Sequence, residues 1–411
     1  MFKNICCLFV VLMICMPGFV SAVSGDSPVE QRMQDALQHM IDNPWPYPDA
    51  GWEAKYAGLL IYTNQQQTLA NQLIQDWCGN YTMDKDAAPH AYNDPRPDSV
   101  LFTLYLKSQC SDQLTAQSKD AIEDVVWRWV YRHSFIDPGQ TWPLNNPTKS
   151  VWYISGSENH CAHQRSADFL SLQILRQAGS PYGPDTVLYD GYTVEQHYQA
   201  WIVWYKEFFR QRAQKGLTCE IAHPSSYGMA TIGAYYDIAD LTEDVVLKEV
   251  AENFLTLFWA NVACEFEPRT GIRGSIASSR NYKWSWNQNG DLYWARSLLY
   301  AYDWCDLPSS PALPGLNVFM SDYRPPEILR AIASDTNRGS YMGTSRRFGR
   351  GSGWDAGVYD VLFDDGAAEN SYMRRDVYYT PAYTMSALSF DSGRDYIELV
   401  RQSRTMGVTF S

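Results

Sequence analysis

Apolar residues recur at helical spacing along most of the first 305 positions. Between 193 and 215, Val194, Tyr198, Trp201, Tyr205 and Phe208 fall on one face at steps of four, three, four and three. That is the stripe of an amphipathic helix. Thr193 and Gln196 have capping-box spacing at its start, and Gly216 ends it. The same pattern predicts helices over 55–77 (Leu59, Tyr62, Leu69, Leu73, Trp77, then Gly79), 97–109 (opened by Pro97 and Asp98) and 118–132 (Ile122, Val125, Val126, Trp129). It continues over 243–263 (Val246, Val250, Phe254, Leu257, Phe258) and 287–304 (Leu292, Ala295, Leu298, Leu299, Ala301). Many helices with short connections close into a toroid or stack as a solenoid. No repeat of fixed period is visible, which counts against the solenoid.

The pattern changes after Pro325. Residues 338–369 are rich in Gly, Ser, Arg and Asp. Val377 to Phe390 reads as extended chain, with Tyr383, Met385 and Ala387 alternating against Thr384, Ser386 and Leu388. Tyr396 to Val400 and Val408 to Ser411 are further short apolar runs. So few strands do not bury a sheet face alone. The expectation is a truncated β-sheet domain over 335–411 after a helical domain over 23–325.

The first 22 residues read as a secretory signal peptide. Lys3 supplies the positive charge, Ile5 to Cys15 the apolar stretch, Pro17 and Gly18 the break, and Val20-Ser21-Ala22 the small cleavage-site residues. Cys15 as a lipid anchor is disfavoured by Ile14, where a small residue is needed. The chain is therefore expected to be exported, periplasmic or extracellular, with no membrane span. Six cysteines follow the signal: Cys78, Cys110, Cys161, Cys219, Cys264 and Cys305. An even number permits disulfides, and a large core equally holds free thiols.

Charge and composition narrow the function classes. Hydrophobic residues make up 45% and the net charge is -13. With no basic run, nucleic acid is not an expected partner. Aromatics at 14%, with 28 tyrosines, suit either an aromatic core or a cleft that stacks sugars.

Three segments concentrate polar chemistry. Gly156-Ser157-Glu158-Asn159-His160 opens a periodic apolar run. Helix capping accounts for Ser157 and Glu158, but not for Asn159 and His160 together. In Glu220-Ile221-Ala222-His223-Pro224-Ser225-Ser226-Tyr227, Pro224 keeps His223 extended, a serine starts the next helix, and Tyr227 falls in its first turn. Gly271-Ile272-Arg273-Gly274 and Ser278-Ser279-Arg280-Asn281-Tyr282-Lys283 would make a locally basic loop.

This order of a helix-opening Asn-His, a Ser/Pro turn into a helix with Tyr, and a Gly/Arg loop resembles the toroidal polysaccharide lyases, the alginate lyase and heparinase II/III-like enzymes. The resemblance implies a mainly α fold, an incomplete α/α toroid of paired antiparallel helices followed by the start of an antiparallel β domain. It implies a lyase acting on an acidic polysaccharide without a cofactor or metal. Asn159 matches its carboxylate neutraliser, His160 its neutraliser or base, and Tyr227 its base and acid. Arg165, Glu220, His223, Arg273, Arg280 and Tyr282 are the expected substrate-binding residues, and Tyr378, Tyr379, Thr380, Pro381 and Tyr383 resemble the opening of the family's β domain. The chemistry is coherent. Removing the proton α to a uronate carboxylate requires that charge to be offset, and amide and imidazole N–H donors do so most strongly in the transition state.

Three other readings compete. A glycoside hydrolase on the same helical scaffold needs two facing carboxylates, from Glu158, Glu220, Asp237 and Asp240. A non-catalytic glycan binder needs the aromatics and arginines but not the Asn159-His160 pair. A metal site would draw on His160, His163, Glu220 and His223, although Pro224 keeps Glu220 and His223 off a shared helix face.

Overall fold

A computed structural model of the chain describes residues 28–43, 52–83, 96–133, 158–179, 181–215, 226–267, 272–273, 298–304, 315–348, 372–390 and 407–410. The described chain is mainly helical. Its helices are α1 (Pro28–Asp42), α2 (Trp52–Tyr62), α3 (Gln67–Gly79), α4 (Ser99–Leu106), the single turn α5 (Ser108–Ser111), α6 (Ala116–His133) and α7 (Glu158–Gln177). They continue with α8 (Val194–Lys215), α9 (Ser226–Leu241), α10 (Val245–Glu265), α11 (Leu316–Met320) and α12 (Glu327–Ser334). The signal-peptide segment lies outside the described residues.

Local chemistry explains most helix ends. The capping box of α8 is formed in both directions: Thr193 N–H donates to Gln196 Oε1 at 2.8 Å and Gln196 N–H to Thr193 Oγ1 at 3.2 Å. Asp98 caps α4 by accepting from Val100 N–H at 3.1 Å, and Asp244 caps α10 by accepting from Leu247 N–H at 2.7 Å. The helix expected over 55–77 is two helices. Asn64 (φ 56°) and Gln66 (φ 43°) turn left-handed between them, and Gln65 N–H closes on Leu60 C=O at 2.7 Å. The sequence spacing continues across this break and did not reveal it, but the structure turns Leu69 outward and buries Ala70, Ile74 and Trp77 instead.

Antiparallel pairs build the helical part. Across α7 and α8, Arg176 pairs with Glu195 at one end and Glu158 with Arg212, 3.9 Å apart, at the other. Residues 242–244 turn α9 into α10, and Trp259 Nε1–H donates to Tyr236 Oη between them. The short α4 packs against α2, α6, α7, α9 and α11, with Val100 through Leu104 all buried. Trp129, Trp204 and Trp259 fill the core around it. Helix α1 is also paired with later parts of the chain, residues 298–304 and the stretch before α12. Arg32 pairs with Asp303 at 2.9 Å, and Arg324 with Glu30 at 2.9 Å. Lys107, between α4 and α5, ties three further segments by bonding Asp240 (2.8 Å) and Met320 C=O (2.7 Å) and pairing with Asp322 (3.0 Å).

Two antiparallel sheets follow. The first pairs β1 (Phe266–Glu267) with β2 (Ile272–Arg273). The second has the order β3 (Tyr341–Phe348), β4 (Tyr372–Tyr379), β5 (Tyr383–Phe390) and β6 (Gly407–Phe410). Segment 377–390, read as one extended run, is β4 and β5 folded at 380–382, where Thr380 Oγ1 accepts from Ala382 and Tyr383 N–H. The strand β3 was hidden in a Gly/Ser/Arg-rich segment, and it is defined by its full-length register on β4. Arg338 donates to Ala263 C=O at 2.8 Å and stacks 4.1 Å from the Tyr379 ring. Tyr341 OH donates to Cys264 C=O. These contacts hold the sheet against the end of α10. Val377 and Tyr379 are buried, while the cross-strand row Met342, Tyr378 and Met385 faces outward.

Cys78 and Cys110 are free thiols, and burial pushes both up to about 12. Cys219 and Cys305 lie outside the described residues. Buried Asp237 accepts from Asn317 Nδ2 at 3.0 Å, and its other oxygen has no hydrogen-bond partner. Burial raises its carboxyl pKa well above the usual range; the Asn317 bond opposes this, and Asp240 and Asp98 add to it. A raised pKa means that the folded chain keeps a proton the unfolded chain releases. The associated stability is present below about pH 4 and is lost as pH rises toward the folded value. Asp237→Asn is therefore expected to stabilise the protein more at about pH 8 than at about pH 5 and to flatten the pH dependence of thermal melting. Equal destabilisation at about pH 5 and pH 8 would contradict this.

Candidate functional site

The first turns of α7 and α9 lie at the same end of the helical layer. Gln173 of α7 donates to Leu241 C=O of α9 at 2.7 Å, and each lies fifteen residues from its helix's first residue. Helices joined at matching depth near their C-termini run in the same direction. Their starts are then level, about 22 Å from that bond. The contact near Tyr235 agrees: burial drives its phenol pKa upward, while Arg212, Glu158, Arg165 and Cys161 surround it closely enough to act on it electrostatically. Glu158, Asn159 and His160 thus share one end of the packing with the backbone of Ser226 and Tyr227, and antiparallel α8 brings Arg212 to that end.

The side chains there differ in access. His160 is exposed and His163 is half-buried, whereas Asn159 is buried. Asn159 Oδ1 accepts from the His160 N–H at 2.7 Å. An amide whose oxygen serves the backbone meets a partner through its NH2 group, the group that carboxylate neutralisation needs. Aligned N–H groups at two helix N-termini also favour an anion there.

Arg165 is not on an open face. It is 6% exposed, packed between α7 and α8 with its guanidinium 4.8 Å from the Trp204 ring. The backbones of Tyr227 and Arg273 belong to α9 and β2; Glu220, His223, Arg280 and Tyr282 lie outside the described residues.

Of the carboxylates considered for hydrolysis, the three among the described residues are engaged in packing. Glu158 is 4% exposed and faces Arg212. Asp240 is held by Lys107 and by the Asp322 N–H at 2.8 Å, and Asp237 by Asn317. Among the described residues no group of three or more His, Cys, Asp and Glu is placed to hold a metal ion.

Sequence reasoning missed Arg212 and Asp168. Arg212 is 1% exposed, and its signal is legible: it takes the next position of the stripe Tyr198, Trp201, Tyr205, Phe208. A charge on an apolar stripe requires a buried partner, and Glu158 supplies the opposite charge. Asp168 accepts from Trp129 Nε1–H at 2.8 Å within the α7 core face; its neighbours Phe169 and Leu170 gave no hint of that bond. No family model matches the chain, and neither a characterised protein nor a solved structure matches it.

Proposed function

We propose that the chain is an exported polysaccharide lyase that cleaves a uronic-acid-containing polysaccharide by β-elimination, on an incomplete α/α toroid. The observation that carries this reading is the level start of parallel α7 and α9, with Asn159 and His160 on one and Tyr227 on the other. The return of the later chain to α1 through Arg32–Asp303 and Arg324–Glu30 is in keeping with a ring of helices.

In this reading Asn159 and His160 donate to the uronate carboxylate. The ionised Tyr227 takes the C5 proton, the C5–H electrons form the C4=C5 double bond, and the C4–O4 bond breaks. The departing O4 then receives the proton from the Tyr227 phenol. Arg273, Arg280, Tyr282, Glu220 and His223 hold the polymer, and buried Arg165 adds positive charge behind the first turn.

The test is a screen of the exported chain against alginate, heparan sulfate, chondroitin, hyaluronan and pectin. Elimination on one of them is expected to raise ultraviolet absorbance, because the new double bond is conjugated with the carboxyl group. New reducing ends without absorbance would establish hydrolysis instead. The buried setting of Glu158, Asp237 and Asp240 counts against that second reading.

A further inference from the structure

The opposite end of α7, one helix length (about 30 Å) from the candidate site, presents a different surface. Arg176, near the end of α7, pairs with Glu195 in the first turn of α8, so residues 181–193 lie at that end. Tyr182 of this loop contacts Trp127 of α6 at 5.2 Å between ring centroids, Trp127 contacts Tyr131 at 5.1 Å, and Tyr131 meets Tyr189 edge-on at 6.3 Å. Four rings form a continuous row. Tyr189 is 75% exposed, with Tyr131 at 39% and Tyr192 at 40% beside it.

The loop that carries Tyr182, Tyr189 and Tyr192 is braced by its own hydrogen bonds. Val187 bridges to Thr193, Leu188 N–H donates to Tyr192 C=O at 2.8 Å, and Val194 N–H to Thr186 C=O at 2.9 Å. Gly191 makes the turn at φ 86°, a left-handed value that a side chain resists. Beneath it, fully buried His197 bonds Asp190 Oδ1 through Nε2 at 3.0 Å, and the same oxygen accepts from Tyr192 N–H at 3.2 Å. His197 Nδ1 has no hydrogen-bond partner, and Nε2–H donates to the Asp190 carboxylate. A tyrosine held outward on so fixed a turn loses little conformational entropy on binding.

We propose that this row is a binding platform for a neutral glycan chain. Sugar rings present C–H faces that stack on aromatic faces, and their hydroxyls donate to carboxylates. Both elements are present. Glu123 and Asp124 lie close enough to Tyr182 to raise its phenol pKa, after burial, against the opposing Arg128. Asp185 is exposed on the same loop, and Arg128 is itself paired with Asp124 at 2.7 Å. The rim is thus richer in carboxylates than in cations. It repels a uronate polymer or an anionic membrane and accepts hydroxyl donors. The platform stands whatever reaction the α7–α9 end performs.

The experiment is native affinity electrophoresis of the full chain in gels containing xylan, mannan or a mixed-linkage β-glucan, with hyaluronan and alginate as anionic controls. At least one neutral polymer is expected to retard the protein. Tyr189→Ala should weaken that binding about tenfold or more, while Tyr189→Trp, which keeps a ring face, retains it. Asp190→Ala should weaken it, because it removes the oxygen that accepts from His197 and from the Tyr192 N–H and so sets the turn. Tyr189 is exposed, so the melting temperature of Tyr189→Ala should match wild type, and any elimination activity should be unchanged. Three results would overturn the proposal: no neutral polymer retards the chain, retardation survives Tyr189→Ala, or light scattering shows a dimer that Tyr189→Ala converts to monomer. The last would make the row a contact between copies.

Discussion

Tyr227→Phe is expected to lower turnover by ~10²–10⁴ on whichever uronate polymer the chain cleaves, with substrate binding retained. The substitution removes one hydroxyl and keeps the ring. If that phenol is both the base at C5 and the acid at O4, a single deletion disables both proton transfers. His160→Ala should also reduce turnover, through lost stabilisation of the charge that develops on the carboxylate. His160 is exposed at the start of α7, so its truncation leaves the core intact. A hydrolase would rank the variants in the opposite order, with Glu158→Gln or Glu220→Gln abolishing activity and Tyr227→Phe mild. Initial rates of unsaturated product formation decide between them, and near-normal turnover of Tyr227→Phe rules out the mechanism.

Lys107→Met is expected to destabilise the fold by about 3–5 kcal/mol, the cost of leaving a buried charge without its partner. Its ammonium is 10% exposed and Asp240 is 6% exposed. Burial pulls the Lys107 pKa down, but the charge and hydrogen bond of Asp240 more than offset it and the net shift is upward. A lysine raised in this way contributes its stability fully below its ordinary pKa of about 10.5 and loses it as pH rises through the folded value. The loss in Lys107→Met should therefore be complete at neutral pH and shrink only in strong alkali. Thermal melts of Lys107→Met and of Lys107→Met with Asp240→Leu check the cause. The double variant should recover part of the loss, because it removes the stranded carboxylate. No recovery would assign the loss to packing of the lysine stem and its contact with Tyr62.

Helices were legible wherever an apolar stripe coincided with a cap. The stretch 193–215 shows this best, since Thr193 and Gln196 form the capping box their spacing required. Asp98 likewise starts α4 where the sequence placed a first turn. Such signals act within a few residues, so one chain carries them complete. The break at Asn64 escaped because apolar residues recur at helical spacing on both sides of it in the sequence, although the structure places Leu69 of that stripe outside. The strand β3 escaped because its pairing partner lies beyond the 349–371 segment, and Gly, Ser and Arg have no strong β preference of their own.

The candidate site divides along the same line. The sequence by itself determined that Asn159 and His160 open one helix and that Tyr227 begins another, because caps, prolines and apolar periods are local. Only the tertiary structure decided that these two helices run parallel with level starts, that Arg165 turns inward onto Trp204, and that Arg212 faces Glu158. Those outcomes depend on which helix faces meet. That choice is made by burial summed over several elements, and no single stretch of chain encodes it.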